Sequence, residues 1–309
     1  MNQAVLTSPF PAWVRRVGVF APAGIPDPAR LQRGLARLGG WGLDVVVAGL
    51  AGPHERFLAA PDAVRAGALN ELLRAPGVDI LLAARGGYGS ARILDRIDWD
   101  AWRSREVPLV GYSDLTALHL AAYGAGMRRG VVGPMLCNAL SREPSDAADA
   151  ACLDGVFASL RQALSGEPML ARGGLRAVQT GLARGPLVPV NLSVLVSLVG
   201  TPWMPDLRGA ILVLEDIHEA AYRIDRYLLQ LRLGGCLRGV AGLVFGQFTE
   251  GEDASWLPEV FADAAAHLVG PVAAGLEFGH GYPSLSLPMG RTACLRVDAS
   301  EVSLEVEAS

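Results

Sequence analysis

Short apolar runs alternate with amphipathic stretches along the first half of the chain. Val17–Phe20, Leu43–Ala48, Ile80–Ala84 and Pro108–Tyr112 read as strands, while Pro28–Leu38, Ala63–Arg74 and Leu115–Tyr123 carry helical spacing. Ser90–Asp95 begins a further helix, and Asp146–Ser165 reads as the helix that closes this unit. Strands that alternate with helices pair in parallel through right-handed crossovers. The pattern therefore predicts an α/β fold with a doubly wound, flavodoxin- or Rossmann-like parallel sheet. Ligands of such sheets sit beyond the carboxyl ends of the strands, where Arg85-Gly86-Gly87-Tyr88-Gly89 and Tyr112-Ser113-Asp114 fall.

The second half has a different rhythm. Gly209–Leu214 and Val240–Phe245 read as strands, Ala220–Leu233 and Leu257–Leu268 as helices. Alternation over Ala293–Val297 and Glu301–Glu307 predicts an antiparallel hairpin. Gly166–Arg176 is glycine-rich and lacks periodicity, so a linker is expected at 166–176. It would join an N-terminal α/β domain, 1–165, to a smaller C-terminal α/β domain rich in β structure, 177–309. Gly185–Pro205 carries no charge, yet Pro186, Pro189, Pro202 and Pro205 interrupt it. Prolines at that density oppose a membrane-spanning helix, and a short buried helix over Leu192–Val199 is expected instead.

Composition narrows the chemistry. Among 309 residues, 51% are hydrophobic and 19% charged, which suits a large buried core. The net charge of −4 offers no basic face for nucleic acid. All 27 basic residues are Arg. Without Lys there is no Schiff base, no pyridoxal phosphate anchor and no P-loop lysine. Cys137, Cys152, Cys236 and Cys294 are scattered without CxxC spacing, which argues for reduced thiols in a cytoplasmic protein. MNQAVLTSPFPAW has neither the basic start nor the long apolar core of a signal peptide.

Leu109-Val110-Gly111-Tyr112-Ser113-Asp114-Leu115-Thr116 runs an apolar strand straight into Ser and then into a helix. That arrangement exposes a hydroxyl at a sharp turn beside helix-start N–H groups, as a nucleophile elbow requires. Leu115 stands where G-x-S-x-G has its second Gly, which disfavours an ordinary α/β-hydrolase; Ser113 or Asp114 as a helix N-cap remains open. The glycines after Arg85 allow close backbone approach, for a phosphate, an oxyanion or a plain tight turn. Of the five His, His54, His119, His218 and His267 read as structural. His280 lies in the aperiodic loop Phe278-Gly279-His280-Gly281-Tyr282-Pro283. Glu215 ends the apolar run Ile211–Leu214, where a carboxylate needs a partner such as imidazolium, or serves with Asp216 to cap a helix.

Together these segments resemble the LD-carboxypeptidases, the serine peptidase family that includes muramoyltetrapeptide carboxypeptidase and the microcin-immunity hydrolases. The resemblance runs from about Val17 to Arg296. It rests on Ala84–Gly89, Gly111–His119, Gly133-Pro134-Met135, Asn191-Leu192 with Gly200-Thr201-Pro202, Leu214–Ile217, Tyr222–Arg226 and Phe278-Gly279-His280. It implies a triad of Ser113, Glu215 and His280, with backbone amides of Gly87 and Asp114 as oxyanion donors. One departure is Pro189-Val190, where the family tends to carry glycines.

The resemblance further implies release of terminal D-alanine from a murein tetrapeptide in cell-wall recycling, in the cytoplasm, by a homodimer that needs no metal or cofactor. The rival activities are hydrolysis of acylated aminoacyl-sulfamoyl adenylates and ligand binding without turnover. No nucleic-acid or membrane partner is expected. A free terminal carboxylate calls for a cation, which in this chain must be Arg. Arg85 and Arg223 lie nearest the motifs, and Arg85 with Tyr88 is the expected substrate-binding pair.

Overall fold

The computed structural model describes residues 6–309. Five strands of the first half are β1 (Arg16–Phe20), β2 (Asp44–Ala48), β3 (Ile80–Ala83), β4 (Leu109–Val110) and β5 (Val131–Val132). They lie side by side in the order β2-β1-β3-β4-β5, every pair parallel. This is the flavodoxin-like order, with its switch point between β1 and β3. Val17, Val19, Phe20 and Ile80–Ala83 are wholly buried, which explains why these strands read as continuous apolar runs and not as alternating ones.

The remaining strands are β6 (Met169–Ala171), β7 (Arg176–Gln179), β8 (Gly181–Asn191), β9 (Ile211–Ile217), β10 (Gly242–Thr249), β11 (Val272–Ala274), β12 (Leu287–Pro288), β13 (Thr292–Val297) and β14 (Val302–Val306). All except β12 form a second sheet, ordered β6-β14-β13-β8-β9-β10-β11-β7. Its centre, β8-β9-β10-β11, is parallel, and its flanks are antiparallel. β12 returns to the first sheet and pairs antiparallel with β5. The segment 166–176 holds β6, a strand of the second sheet, so it is not bare connection.

Several elements differ from the reading of the pattern. Ser90–Arg96 is a 3-10 helix, and Ser113–Leu115 is a 3-10 turn ahead of helix Thr116–Gly124. The helix expected over Leu192–Val199 ends at Ser197. β9 does not stop at Leu214 but runs through Glu215 and Asp216, because both carboxylates are buried and find partners there. Helix Trp99–Arg105 and strand β8 left no legible pattern, the latter because Pro186 and Pro189 interrupt it. Pairing with β13 ends at Pro186, and β9 covers only Leu187–Asn191. Pro189 therefore sits where the strand has a single paired neighbour, an edge-like setting in which a ladder tolerates proline. Among the described residues, no helix is long and apolar enough to cross a membrane.

Candidate active site

Ser113 lies three residues past the end of β4, after Gly111 and Tyr112, with φ of +64°. A residue with a Cβ rarely holds that conformation, and such strain persists only where the surroundings enforce it. The helix Thr116–Gly124 that begins immediately afterwards is buried over Thr116–Tyr123, which fixes the turn from one side. On the other side the glycine loop after β3 comes close. A Cβ on Gly86 would lie 3.2 Å from Ser113 Cβ and 3.4 Å from its Oγ.

Three side chains from distant segments meet at this turn. His280 Nε2 lies 3.0 Å from Ser113 Oγ, and His280 Nδ1 lies 2.6 Å from Glu215 Oε2. Glu215 is 2% exposed at its side chain and His280 12%. The buried carboxylate can only accept, so Nδ1 carries the proton of the neutral ring and Nε2 accepts from the serine hydroxyl. The other oxygen, Oε1, accepts from Asn191 Nδ2 at 3.1 Å. The same amide nitrogen donates to Asp216 Oδ1 at 3.0 Å, and Ser193 N donates to Asp216 Oδ2 at 2.8 Å. Burial holds the Asp216 carboxyl above the usual range. Tyr112 packs against the His280 ring at 4.9 Å and accepts a hydrogen bond from Asn138 Nδ2. Burial, helped by Glu215, pushes its phenol up to about 12, so it stays neutral.

The backbone beside Ser113 is pinned by two buried charged groups. Asp114 is 4% exposed, and its carboxylate accepts from Ser90 N at 2.8 Å. Burial raises the Asp114 carboxyl. Arg65 is wholly buried. Its guanidinium donates to Ala60 O and Gly89 O at 2.9 Å each, and also to Pro22 O and Asp62. Gly24 N donates to Gly86 O at 3.0 Å, which ties the loop after β1 to the glycine loop. The amides of Gly87 and Asp114 donate to no acceptor among the described residues. Arg65, Asn138 and Asn191 were not singled out as site residues from sequence. Asn191 stood in a motif of the resemblance, whereas Arg65 looks like one more polar position on a helix.

A cavity of about 400 Å³ opens beside His280 and Tyr112, lined further by Gly133, Pro134, Asn138 and Phe278. Neither Arg85 nor Tyr88 lines it. The Arg85 guanidinium is drawn aside, donating to Ile25 O at 2.6 Å, and the exposed Tyr88 ring packs edge-on against Phe57 at 5.5 Å. Arg223 is ion-paired with Glu219 at 3.5 Å on another helix. The cations that do line the cavity are Arg30, Arg33 and Arg142. His54, His218 and His267 contact Ala59, Glu250 and Arg232, away from Ser113. His119 is wholly buried, its Nε2 2.9 Å from Gly111 O, and burial pushes its pKa down to about 4.

Comparison with known proteins places this arrangement in context. Residues 17–132 match the model of the LD-carboxypeptidase N-terminal domain, and residues 184–295 that of the LD-carboxypeptidase C-terminal domain. The chain is 33% identical over 301 residues to a probable murein peptide carboxypeptidase of Bacillus subtilis, covering 95% of this chain and 92% of the relative. The Escherichia coli microcin C7 self-immunity protein is 25% identical over 317 residues, with 93% and 92% covered. The crystal structure of muramoyltetrapeptide carboxypeptidase from Oxalobacter formigenes superimposes with a TM-score of 0.83 at 30% identity, covering 94% of this chain and 98% of that one. With both halves matched and a relative of this similarity along nearly its whole length, the chain belongs to the LD-carboxypeptidase family.

Proposed function

We propose that the protein is a serine carboxypeptidase that hydrolyses an L,D-peptide bond, releasing the terminal D-alanine of a murein tetrapeptide during cell-wall recycling. Ser113 Oγ attacks the carbonyl carbon while His280 Nε2 takes its proton. Glu215 holds the ring through Nδ1 and stabilises the imidazolium. The developing oxyanion sits against the amides of Gly87 and Asp114, each such donor contributing about 10²–10³ in rate. His280 then delivers the proton to the leaving amine, D-alanine departs, and water attacks the acyl-enzyme by the reverse path. In this reading the enzyme works as a cytoplasmic homodimer.

The observation that carries the reading is the continuous chain from Ser113 Oγ through both ring nitrogens to Glu215, built at a positive-φ turn. The names of the B. subtilis and O. formigenes relatives supply the substrate class. A second reading, hydrolysis of an acylated aminoacyl-sulfamoyl adenylate by the same three residues, draws support from the microcin self-immunity relative. Mass spectrometry of murein tetrapeptide and of an acyl-sulfamoyl adenylate, each incubated with purified protein, separates the two. The expected result is a tripeptide product lacking one alanine, with the adenylate intact. Cleavage of the adenylate alone would transfer the assignment to the second reading, and cleavage of neither would overturn both.

A further inference from the structure

The direction of the proposed reaction fixes where the leaving residue must lie. The oxyanion points at the amides of Gly87 and Asp114, while the leaving amine must stay within reach of His280 Nε2, which protonates it. The terminal residue and its carboxylate therefore occupy the side of Ser113 that His280 faces. His280 itself lines the 400 Å³ cavity together with Tyr112, and the rest of that lining includes three Arg and a single carboxylate, Glu143. Its charge suits an acidic peptide with a free C-terminus.

The three cations are not equivalent. Arg142 is held by Asp149 at 3.0 Å and lies over the Tyr282 ring at 4.2 Å. Arg33 donates to Ser141 O at 3.3 Å and lies 3.8 Å from Glu143. Arg30 makes only a backbone contact, its amide donating to Asp27 Oδ1 at 2.8 Å. Its guanidinium has no hydrogen-bond or ion-pair partner among the described residues, though it lines the same cavity. Asp27 caps the helix Pro28–Gly40 and Arg30 sits in its first turn, so the side chain springs from a rigid base. A planar, permanently charged fork without a partner is matched to a carboxylate or phosphate bound through two parallel hydrogen bonds, and of these the proposed peptide substrate carries the carboxylate.

We propose that Arg30 is the specificity residue that binds the free α-carboxylate of the leaving D-residue and so makes the enzyme a carboxypeptidase and not an internal amidase. The inference rests on the reading given under Proposed function. Arg30 takes no part in bond making. Its contribution is to KM and to the choice between acid and amide termini.

The test compares kcat/KM for tetrapeptide and for its C-terminal amide, in the wild type, Arg30→Ala and Arg30→Lys. A charge-assisted hydrogen bond predicts that Arg30→Ala lowers kcat/KM on the acid by about 10- to 100-fold, mostly through KM. The rate on the amide should change by less than about 2-fold, so the preference for the acid collapses. Arg30→Lys should recover part of it, because the charge returns without the fork. Arg30 is exposed, so thermal melting of all three proteins should coincide. A preference for the acid that survives in Arg30→Ala, or an equal loss on acid and amide, overturns the role of Arg30 and leaves the carboxypeptidase reading standing. A wild type that fails to cleave the tetrapeptide overturns that reading, and the assignment of Arg30 falls with it.

Discussion

Ser113, His280 and Glu215 are linked by hydrogen bonds of 3.0 and 2.6 Å, so each should be kinetically separable. Ser113→Ala and His280→Ala should each lower kcat by about 10⁴-fold or more while far-ultraviolet circular dichroism stays unchanged. Glu215→Gln should lose less, because Glu215 orients the ring and does not react; either alanine variant turning over at near the wild-type rate would remove the triad. His119 invites a different measurement. Its pKa is depressed from 6.5 to about 4 by burial, so the unfolded chain binds the proton more readily. The stability contributed by neutral His119 is complete above about pH 6.5 and is lost as pH falls towards 4, a swing on the order of 3 kcal/mol. His119→Gln keeps a donor for Gly111 O without the titration, so its melting temperature should fall less steeply between pH 7 and pH 5. Equal slopes would show that other groups carry the acid sensitivity. At this scale the sequence was informative where a residue stood out of its local pattern: Ser113 after a strand, Glu215 after an apolar run, His280 between glycines. Arg65 has no such mark, because its burial depends on carbonyls of Pro22 and Gly89 that only tertiary structure brings to it.

Loops, more than strands or helices, carry the geometry of the site. The loop bearing His280 passes over β9 so closely that Gly279, with φ of +134°, has no room for a side chain. A Cβ there would lie 2.8 Å from Glu215 Oε2 and 2.9 Å from Glu215 Cβ. Gly279→Ala meets both obstacles at once, a backbone angle that L-residues avoid and a collision with the carboxylate that orients the ring. We expect kcat/KM to fall by at least about 10-fold, with a lowered melting temperature, as the loop is pushed off Glu215. Unchanged kcat/KM would mean that the His280 to Glu215 contact does not set the rate. Strand ends and glycine turns of this sort are legible in sequence because their signals are local. The identity of the central strand β8 was not, since its residues Gly181–Asn191 include two prolines and their place depends on which neighbours happen to pair alongside.

Across the whole molecule, Ser113 follows a strand of the six-stranded sheet and Glu215 sits within the eight-stranded one, while His280 precedes β12, which crosses back to the first sheet. One buried hydrogen bond ties the two sheets close to the site: Asn191 N donates to Thr116 Oγ1 at 3.0 Å. Thr116 is 1% exposed on the helix that follows Ser113, and Asn191 is the residue whose amide holds Glu215. Thr116→Val keeps the shape but leaves the Asn191 N–H without an acceptor in the interior, which costs about 1–3 kcal/mol. For a chain of this size that corresponds to roughly 2–4 °C in melting temperature per kcal/mol. Because the lost tie also frees Asn191, kcat should fall several-fold with little change in KM, as alignment of the carboxylate and ring is lost while the substrate cavity beside His280 is kept. Thr116→Ser retains the acceptor and should restore both quantities. A Thr116→Val protein that melts lower but turns over normally would show that this contact holds the sheets together without aligning the triad. One that matches the wild type in both would show that this contact neither holds the sheets together nor aligns the triad.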